Sequence, residues 1–357
     1  MNNNYTTYHG HTDTVISMAL SPNGKYLASS SRDNTIRLWS IDMKEIIRTI
    51  DSVYVDSVAF SRNGGILASG NINSVKLWRV QKIVDGSLDP LMRTMEGHSK
   101  SVSSVVFSPL GGYLASASWD KTVKLWHIKT GNCTKTLEGH DGAVNSVAFS
   151  PRGVYLASGS ADKTIKLWND SGECIRTLYT PERYTSDVRS VTFSPDGRYL
   201  ASGGDDGEVK LWNLANRSDE ALKILGVNMY DEGITSVAFS PDGQYLASGS
   251  EQIHDAHDWD RVDEGFGGRA KLWRVSGKKW KMESDDTTYR EVMQKLPEMT
   301  MKHGGNINEG VFNVAFSING NYLFITYGST IYCHNVMVNT AGGLETQGTK
   351  SHLTLIF

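Results

Sequence analysis

Apolar residues along this chain fall into short runs with a period of two, separated by turn signals, and nowhere settle into a sustained helical period. The stretch Gly139 to Trp168, GHDGAVNSVAFSPRGVYLASGSADKTIKLW, shows the pattern at its clearest. VNSVAFS, YLASG and TIKLW are rich in β-branched and aromatic residues. Ser150-Pro151-Arg152-Gly153 and Ala161-Asp162-Lys163 stand between them as turns. CTKTLEG, ahead of the next Gly-His, supplies a fourth run. Each unit is therefore predicted to hold four short strands. A helical face is suggested only at Thr288 to Leu296, TYREVMQKL.

The unit recurs. Leu-Trp appears at Leu38-Trp39, Leu77-Trp78, Leu125-Trp126, Leu167-Trp168, Leu211-Trp212 and Leu272-Trp273, with tryptophans 39, 48, 42, 44 and 61 residues apart. A second marker, S-V-x-F-S-P-x-G, runs in register with it, its Phe position occupied by Leu20, Phe60, Phe107, Phe149, Phe193, Phe239 and Phe316. That makes seven units, the last without a tryptophan. A period near 40 residues marks a repeat architecture in which no unit buries its apolar faces alone.

Composition narrows the function classes. Lys+Arg 36 against Asp+Glu 39 gives a net charge of −3, which argues against a general binder of nucleic acid or anionic membranes. At 39% hydrophobic and 10% aromatic the chain is too apolar for disorder, and no window holds the roughly 18 apolar residues of a membrane span. The opening MNNNYTTYHGH lacks the basic and apolar regions of a signal peptide. The three cysteines, Cys133, Cys174 and Cys333, match no metal or redox spacing, and their odd number argues against a disulfide framework. A reducing compartment, the cytoplasm, is the expected location.

The period, the Gly-His opening and the closing Leu-Trp resemble the WD40 repeat family over essentially the whole chain. The near-consensus blocks SVAFSPDGQYLASGS and SADKTIKLW particularly resemble bacterial, cyanobacteria-like members. The resemblance implies an all-β, seven-bladed propeller of four-stranded antiparallel blades, spanning residues 1–357 as one domain, with both termini sharing the closing blade. It also implies a structural hydrogen-bond set in each blade: His11, Ser29 or Ser31, Asp33 and Trp39; His98, Ser116 or Ser118, Asp120 and Trp126; His140, Ser158 or Ser160, Asp162 and Trp168. A serine, a histidine and an aspartate invite a catalytic reading, but recurrence once per blade marks architecture. Other units depart from the pattern. Unit 2 lacks Gly-His and is a residue short in LASGNINSVKLW; unit 5 reads Thr180-Pro181 in place of Gly-His; unit 6 keeps Trp273 without His or Asp; unit 7 carries His334 at the tryptophan position. Those blades are expected to rely on packing alone.

An open ring would leave strand edges unpaired. TTYHGH aligns with KTLEGH, so Thr6 to Tyr8 is expected to supply the outermost strand of blade 7, in competition with His352 to Phe357, HLTLIF. Two insertions, at about 251–268 and 276–295, and a smaller extension from Gln81 to Pro90 interrupt the repeat. In the first, His254 and His257 stand among Asp255, Asp258, Asp260 and Asp263. A metal site could be drawn there, yet the spacing fits no defined motif and a solvated polar loop explains it equally well. GKKWK at Gly277 to Lys281 is offset by Asp285 and Asp286, GFGG lacks a phosphate-loop context, and G-x-S-x-G is absent. No cofactor, metal or small-molecule substrate is expected.

Selectivity then falls to positions that do not recur. In this family partners dock at the top mouth of the channel, where the resemblance places Ile16, Asp56, Ser103, Asn145, Arg189, Thr235 and Phe312 from the innermost strands, and Arg32, Trp119, Ala161 and Asp205 from turns. Trp119 stands where most units carry a small or charged residue and has the character of an interface anchor. The expected function is a non-catalytic scaffold that captures a protein or peptide, with loss of capture on replacing Trp119 or Arg189. A regulatory module working with a protease or nucleotide-switch protein, and a metal-dependent propeller enzyme using the His254–Asp263 loop, are the alternatives.

Overall fold

A computed structural model describes residues 5–179, 186–215, 221, 223–225, 232–252, 270–274 and 310–336. Seven antiparallel sheets follow one another in chain order. Blade 1 is Val15–Leu20, Tyr26–Ser31, Thr35–Ser40 and Glu45–Asp51, from the innermost strand outward, and blades 3 and 4 repeat this plan from Val102 to Leu137 and from Val144 to Tyr179. Blade 6 shows three strands among the described residues, Glu232–Phe239, Tyr245–Gln252 and Ala270–Arg274. Blade 7 is Val311–Phe316, Tyr322–Tyr327 and Thr330–Asn335, and its fourth strand is Tyr5–Tyr8 from the other end of the chain, with Tyr5 opposite His334 and Tyr8 opposite Ile331. The N-terminal segment closes the ring as expected; residues 352–357 lie outside the described residues.

The apolar core is divided among the blade interfaces. Ala28, Ile36 and Leu38 of blade 1 meet Val58, Leu67 and Trp78 of blade 2, and six comparable clusters follow. The closing one joins Tyr8, Phe324 and Ile331 to Val15, Leu27 and Trp39. A blade alone would expose both faces, so burial at these seven interfaces drives the ring together.

The serine of the S-V-x-F marker has a structural task that the pattern alone did not disclose. Its hydroxyl accepts the backbone N–H of the next blade's innermost strand: Val58 to Ser17 at 3.2 Å, Val105 to Ser57 at 3.1 Å, Val191 to Ser146 at 3.1 Å and Val237 to Ser190 at 3.1 Å. Ser104 and Ser236 serve Val147 and Val314 in the same way. Blade 7 has Asn313 at this position, and its junction with blade 1 instead uses the Val15 N–H, which donates to Gly328 O at 2.8 Å.

One element was not anticipated. The Gln81 to Pro90 extension of blade 2 opens with a short helix, Val80–Val84, that buries Val80 and Ile83 against Ile47 and Leu91. Five residues are too few for a helical period to register in the sequence. The Thr288–Leu296 stretch, the second insertion, the first insertion beyond Gln252 and Thr180-Pro181 fall outside the described residues.

Candidate functional site

The recurring sets come first, because they look most like catalytic machinery. In blade 1, His11 Nδ1 lies 2.8 Å from Asp33 Oδ2 and His11 Nε2 lies 2.7 Å from Ser29 Oγ, while Trp39 Nε1 donates to Ser29 Oγ at 2.8 Å. Blade 3 repeats the arrangement with His98, Asp120, Ser116 and Trp126, and blade 4 with His140, Asp162, Ser158 and Trp168. Thr35 and the Thr12 amide also donate to Asp33, which can only accept. Histidine therefore carries its proton on Nδ1, and the serine hydroxyl donates to Nε2 while accepting the indole N–H. The proton order matches a catalytic triad, but the access does not: Ser29, Ser116 and Ser158 are fully buried with their hydroxyls spent on both sides. Of the paired serine choices the structure takes Ser29, Ser116 and Ser158. Ser31 and Ser118 accept the amides of Asp33 and Asp120 and donate to Asp13 O and Lys100 O; Ser160 accepts that of Asp162.

The glycine ahead of the histidine has a steric cause. Gly97 sits at φ +152°, and a Cβ there would lie 3.2 Å from Trp126 Cη2.

Electrostatics agree with a neutral imidazole against an ionised carboxylate. Burial lowers the pKa of His11 and His98, overcoming the pull of their aspartates. Burial alone would raise Asp33, but hydrogen bonds from Thr35, His11 and the Thr12 amide hold it at about 2.

Two departing blades do not rest on packing alone, which corrects the expectation for them. In blade 2, Trp78 Nε1 donates to Ser69 Oγ at 3.0 Å, Ser69 donates to Asn71 Oδ1 at 3.1 Å, and Asn71 Nδ2 donates to Ser52 Oγ at 3.0 Å. An amide and a hydroxyl thus stand in for carboxylate and imidazole. In blade 5, Trp212 keeps its bond to Ser202 at 2.9 Å, and Asp206 pairs with the buried Lys210, which also lies 3.0 Å from Glu208. In blade 7, His334 pairs with Leu323 where Trp39 pairs with Leu27, and Ile325 occupies the serine position. With no hydroxyl to meet, His334 Nε2 is a buried nitrogen without a hydrogen-bond partner, and burial drives its pKa down to about 4.

The rim is different in kind. The register slips early in the innermost strand of blades 1, 3, 4, 5 and 6, around Ile16, Ser103, Asn145, Arg189 and Thr235. Bulges of this type re-aim a side chain. Three of these side chains tie blades together: Asn145 Nδ2 donates to Val188 O at 3.1 Å, Ser103 to Val144 O and Thr235 to Val311 O. Arg189 pairs with Asp205 of its own blade and Glu251 of blade 6, and so fixes two carboxylates. Arg32 lies over the Phe312 ring, 5.5 Å from its centroid. Ala161 sits in the turn of blade 4. Trp119 is 50% exposed, beside Ser101, whose carbonyl accepts its N–H at 3.0 Å. The sequence reading missed Glu251, because the blade 6 turn lacks the aspartate that marks the position elsewhere.

Asp56 is half-buried, and burial raises its pKa to about 6 against a smaller opposing pull from Arg32. A folded-state value above the unfolded one means the ionised form is penalised, so its contribution to stability falls as pH rises from about 4 to 6 and is flat above. Asp56→Asn is expected to raise the urea midpoint relative to the parent at pH 8 and to lose that advantage at pH 4. An equal shift at both pH values would reject the assignment.

Seven four-stranded sheets around a common axis, or three described strands in the case of blade 6, define a β-propeller of repeat units. The family model for the WD domain, G-beta repeat, matches residues 2–40, 90–127, 131–169, 172–213 and 224–257, more than half of the chain. The chain belongs to the WD40 repeat family. Unit 2, which lacks Gly-His, and everything beyond residue 257 stand outside the matched segments. Similar proteins include nuclear distribution protein PAC1 of Arthroderma otae, 36% identical over 143 residues, covering 35% of this chain and 29% of that protein. Nuclear distribution protein nudF of Aspergillus niger is 36% identical over 135 residues, covering 36% and 29%. Protein HIR1 of Cryptococcus neoformans var. neoformans is 32% identical over 139 residues, covering 34% and 15%. The matched stretch thus spans less than a third of each relative. These relatives are fungal, and the resemblance to bacterial members finds no support in them.

Proposed function

We propose that this propeller, with residues 1–357 as a single domain, is a non-catalytic scaffold that captures a segment of another protein on its top face. The observation that carries the reading is the contrast between two residues of one turn. Asp120 is engaged with His98, Thr122 and the Ser99 amide, whereas its neighbour Trp119 presents a half-exposed indole to solvent. Tryptophan contributes large contact area at small conformational cost, so an exposed one at a rim is suited to anchoring a partner. The enzyme reading loses its strongest apparent support, since each described serine–histidine–aspartate set is sealed by a tryptophan. Among the described residues no group of three or more His, Cys, Asp or Glu could hold a metal ion, and the His254–Asp263 loop lies outside them. A protein partner is favoured over nucleic acid, because carboxylates outnumber cations around Arg189. The cytoplasm is the proposed location, on the strength of three free thiols.

Affinity capture from the source cell, run in parallel with the parent and Trp119→Ala, tests the reading. Proteins retained by the parent are expected to be lost from the variant while its unfolding free energy stays within about 0.5 kcal/mol of the parent's, as for a surface substitution. Identical retention by both would remove the top mouth as the capture surface.

A further inference from the structure

The top face is polarised. On one side Val53, Tyr54, Ile72 and Trp119 are 54%, 63%, 49% and 50% exposed. They come from separate loops, yet hydrogen bonds lace those loops together. Asn71, next to Ile72, donates from Nδ2 to Val53 O at 3.1 Å; the Val102 N–H donates to Asn71 O at 2.9 Å; and Ser101, next to Val102, receives the Trp119 N–H. The four side chains therefore form one apolar arc over blades 1 to 3, whereas apolar side chains scattered singly would need no explanation. Tyr54 adds an independent sign. It holds φ at +51°, with its N–H on Asn34 Oδ1 at 3.2 Å. A left-handed conformation is unfavourable for an aromatic residue, and its ring is exposed to solvent instead of recovering that cost by burial. Strain retained without internal return is a recurrent feature of ligand-contacting loops.

Across the mouth the surface is acidic. Asp187, Asp205 and Glu251 gather around the guanidinium of Arg189 close enough to interact electrostatically, and Lys163 and Asp162 also act on Asp187, so four carboxylates stand against two cations. In a ring of seven, blade 2 faces the junction of blades 5 and 6, so the apolar arc and the acidic group confront each other over the channel.

Resting on the capture reading above, we infer that the top face takes a protein segment with a large apolar side chain at one end and a lysine or arginine at the other. The apolar side chain packs on Tyr54, Ile72 and Trp119, and the cation enters the Asp187–Asp205–Glu251 group. An acidic segment would bring like charge onto that group and be rejected.

Selection of displayed random 12-residue peptides on the full chain tests this. The enriched peptides are expected to combine an aromatic or large aliphatic residue with Lys or Arg. A synthetic peptide of the enriched sequence is expected to lose about tenfold in affinity with Trp119→Ala and about tenfold with Asp187→Asn, both variants keeping the parent's unfolding midpoint. Enriched peptides that are acidic or lack a cation, or that ignore Asp187→Asn while responding to Trp119→Ala, overturn this inference and leave the capture reading standing. Peptides that ignore both variants, or no enrichment at all, overturn the two together.

Discussion

Trp126→Ala is expected to lower the stability of the propeller by about 3–5 kcal/mol, the range for removing a large aromatic side chain from a packed core. Trp126 is 1% exposed and packs at the interface of blades 2 and 3 with Leu77, Met95 and Val105. Its removal also takes the indole N–H from Ser116 Oγ, which stands between it and His98. Trp126→Phe separates the two contributions: it keeps most of the ring contact, and is expected to cost about 1–3 kcal/mol for the unsatisfied hydroxyl and residual void. The urea midpoint should shift with little change in slope. A shift for Trp126→Ala no larger than that of an exposed residue would mean the recurring set does not hold the blade.

Removal of residues 1–8 is expected to be of similar or larger effect. The deletion takes away Tyr8, 2% exposed, whose ring lies 5.9 Å from Trp39 and 6.3 Å from Phe324 across the junction of blades 1 and 7. Loss of that aromatic alone is worth about 3–5 kcal/mol. It also uncovers the whole hydrogen-bonding edge of Thr330–Asn335, which Tyr5–Tyr8 otherwise pairs. Unpaired edges template association, so the shortened chain is expected to elute as dimers or larger species by size-exclusion chromatography, with a lower unfolding midpoint. A monomeric, equally stable product would show that another segment closes the ring.

Much of the fold was legible because the repeat makes the same physical demand seven times. Leu-Trp in six units and the S-V-x-F marker in all seven fall at equivalent strand positions, and the alignment of TTYHGH with KTLEGH gave the closing strand its register. The tetrads were legible for the same reason. What escaped was whatever does not recur. The substitutes in blades 2 and 5 use Asn71, Ser52 and Lys210 in place of His and Asp, so matching by residue type read them as gaps. Hydroxyl bonds from Ser103 and Thr235 into the next blade depend on a bulge that no hydrophobic pattern records. The polarity of the rim was also hidden: Tyr54, Ile72 and Trp119 lie in three different loops, and only the lacing of those loops makes them neighbours.

Ser116 and Trp119, three residues apart in blade 3, bring the two halves of this account into one measurement: unfolding midpoint and partner capture on Ser116→Ala and Trp119→Ala. Ser116→Ala is expected to lower the midpoint, since it orphans buried groups on His98 and Trp126, and to leave the capture of the folded protein intact. Trp119→Ala is expected to do the reverse. If both variants move the same quantity, the division between a recurring body that holds the ring and a non-recurring rim that selects the partner is wrong.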